Sequence, residues 1–490
     1  MSKNLQPRLT VLDTETVESI IAEAREILLS QGFRLANAEA AELLVEAGAR
    51  WNPQRQRVFL NDRLINQALK TAPREIRLFD RSGREAALLG GDRVCFDPGS
   101  AALNILDSDS GAVRPAVSRD YIRLTQLVDR LEHLHAQSTS LICSDVPREM
   151  QDSYLLYLAL LYSGKPVVTG TFRKDSFAVM RKMLAAVCGG EEALSDKPLA
   201  VFDACPSPPL TWSDLTCQSL IDAARAFIPS ELVSMPLTGA NAPVTLLGAV
   251  VQHTAESLSG LVISQLARAG APVIWGGSPA AFDLRRGTTP MGSIDTMLID
   301  LACVQVGKRL GLPTHAYLGL SDAKVLDAQA GLESALGTVL AGLGGINMVS
   351  GAGMLNFEST MSLEKLVIDN EICGMTYKLL EGLKRRDTPL AKELLLDLQA
   401  EGHLLTHPHT LRWMREEHYA PGAAIDRDNH QEWAAAGSLT AGQRARLEAE
   451  RLIAEHPGVT LEPEKAAALK ELMAAEGRQY GLKRLPSPEA

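Results

Sequence analysis

The chain has 490 residues, 46% of them hydrophobic and 22% charged, the make-up of a folded globular enzyme too long for one small core. A net charge of −10 argues against nucleic acid as the main partner, because a phosphate backbone selects basic surfaces. The longest apolar run, Leu155–Tyr162, is too short to span a bilayer, and Met1–Asp13 lacks the apolar core of a leader, so a cytoplasmic protein with no membrane partner is expected.

Residues 14–31, TETVESIIAEAREILLSQ, repeat apolar positions at helical spacing behind Asp13 or Thr14 as a cap, and Gly32 supplies a stop. Further helices are predicted over 35–49 and 61–72. From Ile76 to Pro115 two turn signals, Asp80-Arg-Ser-Gly83 and Asp107-Ser-Asp-Ser-Gly111, separate short β-prone runs, as in hairpins. Residues 1–117 therefore read as an N-terminal α+β segment.

From residue 118 the rhythm becomes strand, loop, helix. Predicted strands are Ser138–Cys143, Pro166–Gly170, Ala200–Ala204, Glu231–Met235, Ala271–Trp275, Pro313–Leu318 and Gly345–Val349, with amphipathic helices between most of them. An eighth strand falls near Val94–Phe96 or His403–Leu405. Alternating strands and helices imply a parallel sheet, and this number of units favours an α/β fold of the TIM (β/α)8 type over 118–430. No Gly-x-Gly-x-x-Gly fingerprint follows the first strand, which counts against an open doubly wound sheet. The tail, 431–490, is rich in Ala, Glu, Lys and Arg and reads as surface or subunit-contact helices; a homo-oligomer is expected.

In such a barrel chemistry gathers at the C-terminal ends of the strands. The predicted exits are Cys205–Trp212, Pro236–Thr245, Gly276–Pro279, Tyr317–Lys324 and Ser350–Glu358. They are rich in glycine, which lets backbone approach a ligand or a second chain closely. They hold no obvious set of acid, base and nucleophile. No Gly-x-Ser-x-Gly elbow and no phosphate-binding Gly-x-x-x-x-Gly-Lys loop occur, so neither a serine hydrolase nor a nucleotide hydrolase is indicated. His403, His407 and His409 raise the alternative of a zinc-dependent barrel hydrolase, although Pro408 spoils the helical spacing such a site would use. The seven cysteines are scattered without a Cys-x-x-Cys pair, which fits reduced thiols.

Several segments taken together resemble the trimethylamine methyltransferase superfamily, in its members without pyrrolysine. They are Gly239-Ala-Asn-Ala-Pro-Val-Thr245 with Val251-Gln-His-Thr-Ala-Glu256, Ser321-Asp-Ala-Lys324 with Asp327-Ala-Gln-Ala-Gly331, Ser350-Gly-Ala-Gly-Met354, and Val367-Ile-Asp-Asn-Glu371. The resemblance implies a TIM barrel that moves a methyl group from an amine to the cobalt(I) of a separate corrinoid (cobalamin) protein, with no cofactor held tightly by this chain. Trimethylamine enzymes carry pyrrolysine just before the Ser-Asp-x-Lys segment; Leu320 stands there in this chain. That departure points to quaternary amines: glycine betaine first, giving dimethylglycine, then proline betaine, carnitine or γ-butyrobetaine.

A quaternary nitrogen already carries the charge that lets it leave as a neutral tertiary amine. The chain then needs no catalytic acid or base and no metal of its own; it must orient one methyl, exclude water and grip the remainder of the substrate. Expected carboxylate anchors are Arg285, Arg286, His315 and the backbone N–H groups of Gly351 and Gly353. Expected cation-facing aromatics are Trp212, Tyr317 and Phe357, with Trp275 more in keeping with a core residue. Glu358, and after it Asp369, are expected to balance the ammonium. A barrel that binds a betaine without reacting is the remaining alternative.

Overall fold

Eight short parallel strands alternate with eight principal helices between Cys95 and Glu381 in the computed structural model, which describes residues 6–486. The first five residues of the stretch read for a leader, and the last four of the C-terminal region, lie outside the described residues. The strands are β1 (Cys95–Pro98), β2 (Gln137–Ser138), β3 (Val167–Gly170), β4 (Ala200–Ala204), β5 (Ser230–Ser234), β6 (Val273–Gly277), β7 (His315–Tyr317) and β8 (Met348–Ala352). The helices are α1 (Ser118–Arg130), α2 (Gln151–Tyr162), α3 (Ser176–Cys188), α4 (Asp214–Arg225), α5 (Leu246–Ala267), α6 (Ile294–Arg309), α7 (Ala328–Gly344) and α8 (Leu363–Glu381).

Two arcs of parallel ladder close into one barrel. The first runs from β2 through β3, β4 and β5 to β6, the second from β7 through β8 to β1. Hydrogen bonds at the two seams join them, among them Trp275 N–H to the Pro313 carbonyl and His135 N–H to the Phe96 carbonyl, each at 2.8 Å. The fold is thus the (β/α)8 barrel expected. Of the two places offered for the eighth strand, Val94–Phe96 is correct: it is β1, the first barrel strand. It lies ahead of residue 118, where the sequence reading begins the barrel; His403–Leu405 forms no strand.

The two ends of the chain cover helices that are buried on nearly every side. Helix α5 has 22 residues and is long and apolar enough to cross a bilayer, yet 83% of its most apolar window is buried inside the protein. Helix Thr14–Ser30 packs Val17, Ile20, Ala24 and Leu28, and helix Asp62–Thr71 packs Leu64, Ile65 and Ala68, into one cluster with Val250, Leu258, Leu261 and Val262 of α5. A helix without a polar face needs such a jacket, and each fully buried Leu or Val adds about 1.5–3 kcal/mol. Helix α2, QDSYLLYLALLY, has the same need. It is met by helix Pro463–Gln479, which buries Leu469 and Met473 against α2 and α3. Helix Ala441–Ala454 lies on α8 and α1 through the small side chains Ala445 and Ala449.

Beyond the strand ends a small sheet caps one side of the barrel. The chain leaving β1 makes a hairpin, Asn104–Leu106 with Val113–Pro115, and the chain leaving β8 makes another, Met354–Leu355 with Thr360–Met361. The two hairpins pair in parallel, Thr360 opposite Asn104. The turn of the second, Asn356–Ser359, is thereby fixed at the mouth.

Candidate active site

A cavity of about 300 Å³ opens at the C-terminal ends of the strands, and every strand or its exit contributes to its wall. Ser100 follows β1, Thr139 follows β2, Thr171 and Phe172 follow β3, Asp203 ends β4, Val233 comes from β5, Ser278 follows β6, Tyr317 ends β7 and Glu358 follows β8. Among the described residues of this wall the ionisable side chains of ordinary charge are Asp203 and Glu358; none is Lys, Arg or His.

Glu358 reaches the cavity through an unusual backbone. Asn356, Phe357 and Glu358 are consecutive non-glycine residues in the left-handed region, at φ 52°, 57° and 64°. Each such residue costs about 1–2 kcal/mol, and strain of this kind persists only where the surroundings enforce it. Here Asn356 N–H donates to the Ala323 carbonyl (2.9 Å), Ser359 Oγ donates to the Asn356 carbonyl (2.6 Å), and Asn104 N–H donates to the Ser359 carbonyl (3.1 Å). One carboxylate oxygen of Glu358 accepts no hydrogen bond. Burial raises its pKa to about 7, with a smaller push from the Asp322 charge. Burial likewise holds Asp203 well above the usual carboxylate range, helped by the Glu231 charge, and its Oδ1 is also unpartnered.

Beneath the cavity a buried polar chain crosses the barrel. Ser350 Oγ lies 3.0 and 2.9 Å from the two oxygens of Asp97, His315 Nε2 is 3.0 Å from the same hydroxyl, and His315 Nδ1 is 2.7 Å from Glu231 Oε1. The last contact is off the line that a ring N–H would take, and neither Glu231 oxygen has another partner. Burial lowers the pKa of His315 to about 3 and raises Asp97 and Glu231 well above their ordinary range. A neutral imidazole, protonated on Nε2, suits this geometry: Nε2–H donates to Ser350 Oγ, Ser350 donates to Asp97, and a protonated Glu231 faces Nδ1.

A second buried pair braces the exits of β7 and β8. Lys365 and Asp369, one turn apart on α8, meet at 2.5 Å. Asp369 Oδ2 accepts the Gly353 N–H at 2.7 Å, and Lys365 Nζ lies 3.4 Å from the Gly319 carbonyl.

With this geometry in place, comparison with known proteins is informative. A family model described as trimethylamine methyltransferase (MTTB) matches residues 1–481. The chain belongs to this family. Among its relatives, the trimethylamine methyltransferase MttB of Desulfitobacterium hafniense (strain DSM 10664 / DCB-2) is 30% identical over 96% of this chain and 94% of that protein. The glycine betaine methyltransferase of Desulfitobacterium hafniense (strain Y51) is 28% identical over 97% of this chain and 99% of that protein. MttB of Methanosarcina barkeri is 31% identical over 91% of each. The protein is a methyltransferase enzyme.

Against this family background the expected site residues separate into two sets. Tyr317 and Glu358 stand on the cavity wall. The others do not line it. Arg285 and Arg286 are exposed, at 89% and 81% of their side chains, and turn to Asp283 on their own loop. His315 is enclosed by Glu231 and Ser350. Gly353 has its N–H taken by Asp369. Gly351 serves close packing instead: a Cβ there would sit 2.3 Å from the Leu318 carbonyl oxygen. Leu320 is buried in the core cluster beside that contact.

The remaining expectations resolve as packing. Trp212 pairs with the N-terminal strand residue Leu35 and donates its indole N–H to Ser259 of α5 at 2.8 Å, outside the barrel. Phe357 carries the Lys324 ammonium on its face, 3.6 Å from the ring centroid, so that face already holds a cation. Trp275 is core, as read, with its indole N–H on the Cys303 carbonyl of α6. Of the three histidines of the hydrolase alternative, His403 is exposed and the other two take structural tasks. His407 caps helix Pro408–Glu417, accepting from the His409 N–H at 3.1 Å, and His409 Nε2 pairs with Asp387 at 3.1 Å.

Asp97, Asp203 and Glu231 were missed, although a signal for them exists. Each is a lone acid inside a short apolar strand, where alternate side chains must point into the barrel.

Proposed function

We propose that this methyltransferase takes its methyl group from a quaternary ammonium and delivers it to the cobalt(I) of a separate corrinoid protein. The observation that carries the reading is the acidic lining of the cavity and its lack of a cation: Asp203 and Glu358 line it, with Asp97 and Glu231 below and no cationic side chain on the wall. Such a wall suits a substrate that brings positive charge. A corrinoid brought by the partner would supply the nucleophile, cobalt(I), whose electron pair would form the new bond to the methyl carbon.

The chain's own residues have a limited and definite task. The C–N bond breaks with its electron pair on nitrogen, so a neutral tertiary amine leaves and no proton is needed there. Tyr317 offers an aromatic face worth roughly 0.5–2 kcal/mol to an ammonium. Glu358 and Asp203 hold the cation, and the strained 356–358 turn keeps Glu358 in register. Too strong a grip would favour the bound cation over a transition state in which its charge is falling. Carboxyls with raised pKa values grip a cation less than full carboxylates do, which tempers that cost. Access for a partner fits the rim, where Leu103, Phe172, Met235, Val244, Leu284 and Val325 are exposed on loops after β1, β3, β5, β6 and β7.

The test is a panel of quaternary ammonium compounds, glycine betaine, proline betaine, carnitine and γ-butyrobetaine among them, with chemically reduced cobalamin and with corrinoid proteins. Methylation of cobalt with matching release of tertiary amine supports the reading. A panel in which no member is demethylated, while the protein stays folded, removes it.

A further inference from the structure

We infer that the cavity selects a permethylated ammonium whose remainder is uncharged, of the tetramethylammonium or choline kind, over a betaine that carries a carboxylate. The inference rests on the proposed methyl transfer and narrows its substrate. The side chains expected to anchor a carboxylate, and the Gly353 N–H, are committed elsewhere, and Gly351 does not line the cavity. Arg285 and Arg286 pair with Asp283 outside the cavity, His315 lies enclosed beneath it, and the Gly353 N–H donates to Asp369. What the wall offers instead is Asp203 and Glu358, each with an oxygen that accepts no hydrogen bond from the protein.

A carboxylate brought into this space meets two acids and no compensating cation. Glu358 is ionised above its pKa of about 7, so it and the substrate carboxylate must sit together as like charges in a low-dielectric site or one of them must take up a proton, while Asp203, already held protonated by burial, supplies no positive charge in return. An ammonium with an uncharged remainder avoids the conflict and, having no N–H to donate, meets the Glu358 carboxylate through its charge alone. The rest of the wall is neutral, with Phe172, Val233 and Met235 making it apolar in part. Ser100, Thr139, Thr171 and Ser278 present hydroxyls that pair with a substrate hydroxyl or with water. The cavity's ionic character is therefore one-sided, and a zwitterion does not match it.

The experiment is calorimetric titration of the full-length protein at pH 8 with tetramethylammonium, choline, glycine betaine and carnitine, run beside the cobalt methylation assay on the same four compounds. The inference expects tetramethylammonium or choline to bind at least tenfold tighter than glycine betaine. Asp203→Asn combined with Glu358→Gln should shrink that ratio below threefold. Glu358→Gln alone, checked by its melting curve, should shrink it part-way and serves if the double variant fails to fold. Glycine betaine binding as tightly as choline to the unmodified protein overturns the inference, whether or not methyl is transferred; so does an absence of binding by every cation. If the ranking holds but cobalt is methylated by none of the four, the charge selectivity stands as that of a binding site and the methyl-transfer reading falls.

Discussion

Replacing Lys365 with Met tests how the mouth is held together. The side chains of Lys365 and Asp369 are almost fully enclosed, at 1% and 2% exposure, and they meet at 2.5 Å. Asp369 also receives the Gly353 N–H, so the pair ties α8 to the exit of β8, and through the Gly319 carbonyl to that of β7. Lys365→Met leaves a buried carboxylate with one backbone donor, a loss of about 3–5 kcal/mol for a broken buried pair. Unfolding entropy of about 2.1 cal/mol/K per residue gives this chain roughly 1 kcal/mol per degree at its melting point, so Tm should fall by about 3–5 °C. Adding Asp369→Asn removes the orphaned charge but keeps an acceptor for Gly353, and should recover at least half of the loss. The pH dependence has a definite sign. An unpaired, buried Asp369 has a raised folded pKa, so the folded state holds a proton that the unfolded state has released, and the single variant's deficit should grow between pH 5.5 and 8. Scanning calorimetry at both pH values on the three proteins is the assay. A Tm change under about 1 °C, or a double variant no better than the single, would refute the reasoning.

Four further outcomes follow from the same geometry. Gly351→Ala puts a Cβ 2.3 Å from the Leu318 carbonyl oxygen and should cost about 1–3 kcal/mol in thermal melts. Gly331→Ala, within α7 and open on all sides, should stabilise by up to about 1 kcal/mol. Arg285→Ala and Arg286→Ala, together or singly, should leave substrate affinity within about twofold by titration, because both side chains face solvent and Asp283. Tetramethylammonium affinity should rise between pH 6 and 8 as Glu358 ionises near its pKa of about 7. Asp322, near 6, ionises first and its charge delays Glu358, which broadens that rise. Binding should release a proton, seen as a buffer-dependent enthalpy, and Glu358→Gln should flatten both effects.

The barrel was legible because its strands alternate with helices whose apolar spacing survives in the sequence. The first strand was ambiguous because Cys95–Pro98 follows a run of antiparallel hairpins and resembles them in length and composition. At the site, Tyr317 and Glu358 could be read as lining candidates from their place at strand exits. Arg285 and Arg286 could not be dismissed, since an exit loop of the barrel points its charges by local turn geometry: Asp283 captures both within three residues. Trp212 was misleading for a related reason. It sits just after a barrel strand, but the loop doubles back to pair with Phe33–Leu35, a contact between residues far apart in the chain. The acids on the wall and beneath the cavity were hidden because a single Asp or Glu in a short strand has no periodic companion. Only closure of the barrel brings Asp97, Asp203 and Glu231 together.

The most direct measurement follows cobalt and amine in one anaerobic reaction. Full-length protein, reduced cobalamin and a quaternary ammonium are mixed, the cobalt spectrum is recorded, and the amine products are quantified. The account expects the cobalt(I) band to decay into that of methylated cobalt, with one tertiary amine formed per methyl moved and no such change without protein. Cobalt that stays reduced in the presence of every quaternary ammonium, or faster demethylation of a tertiary amine than of its quaternary counterpart, would contradict it.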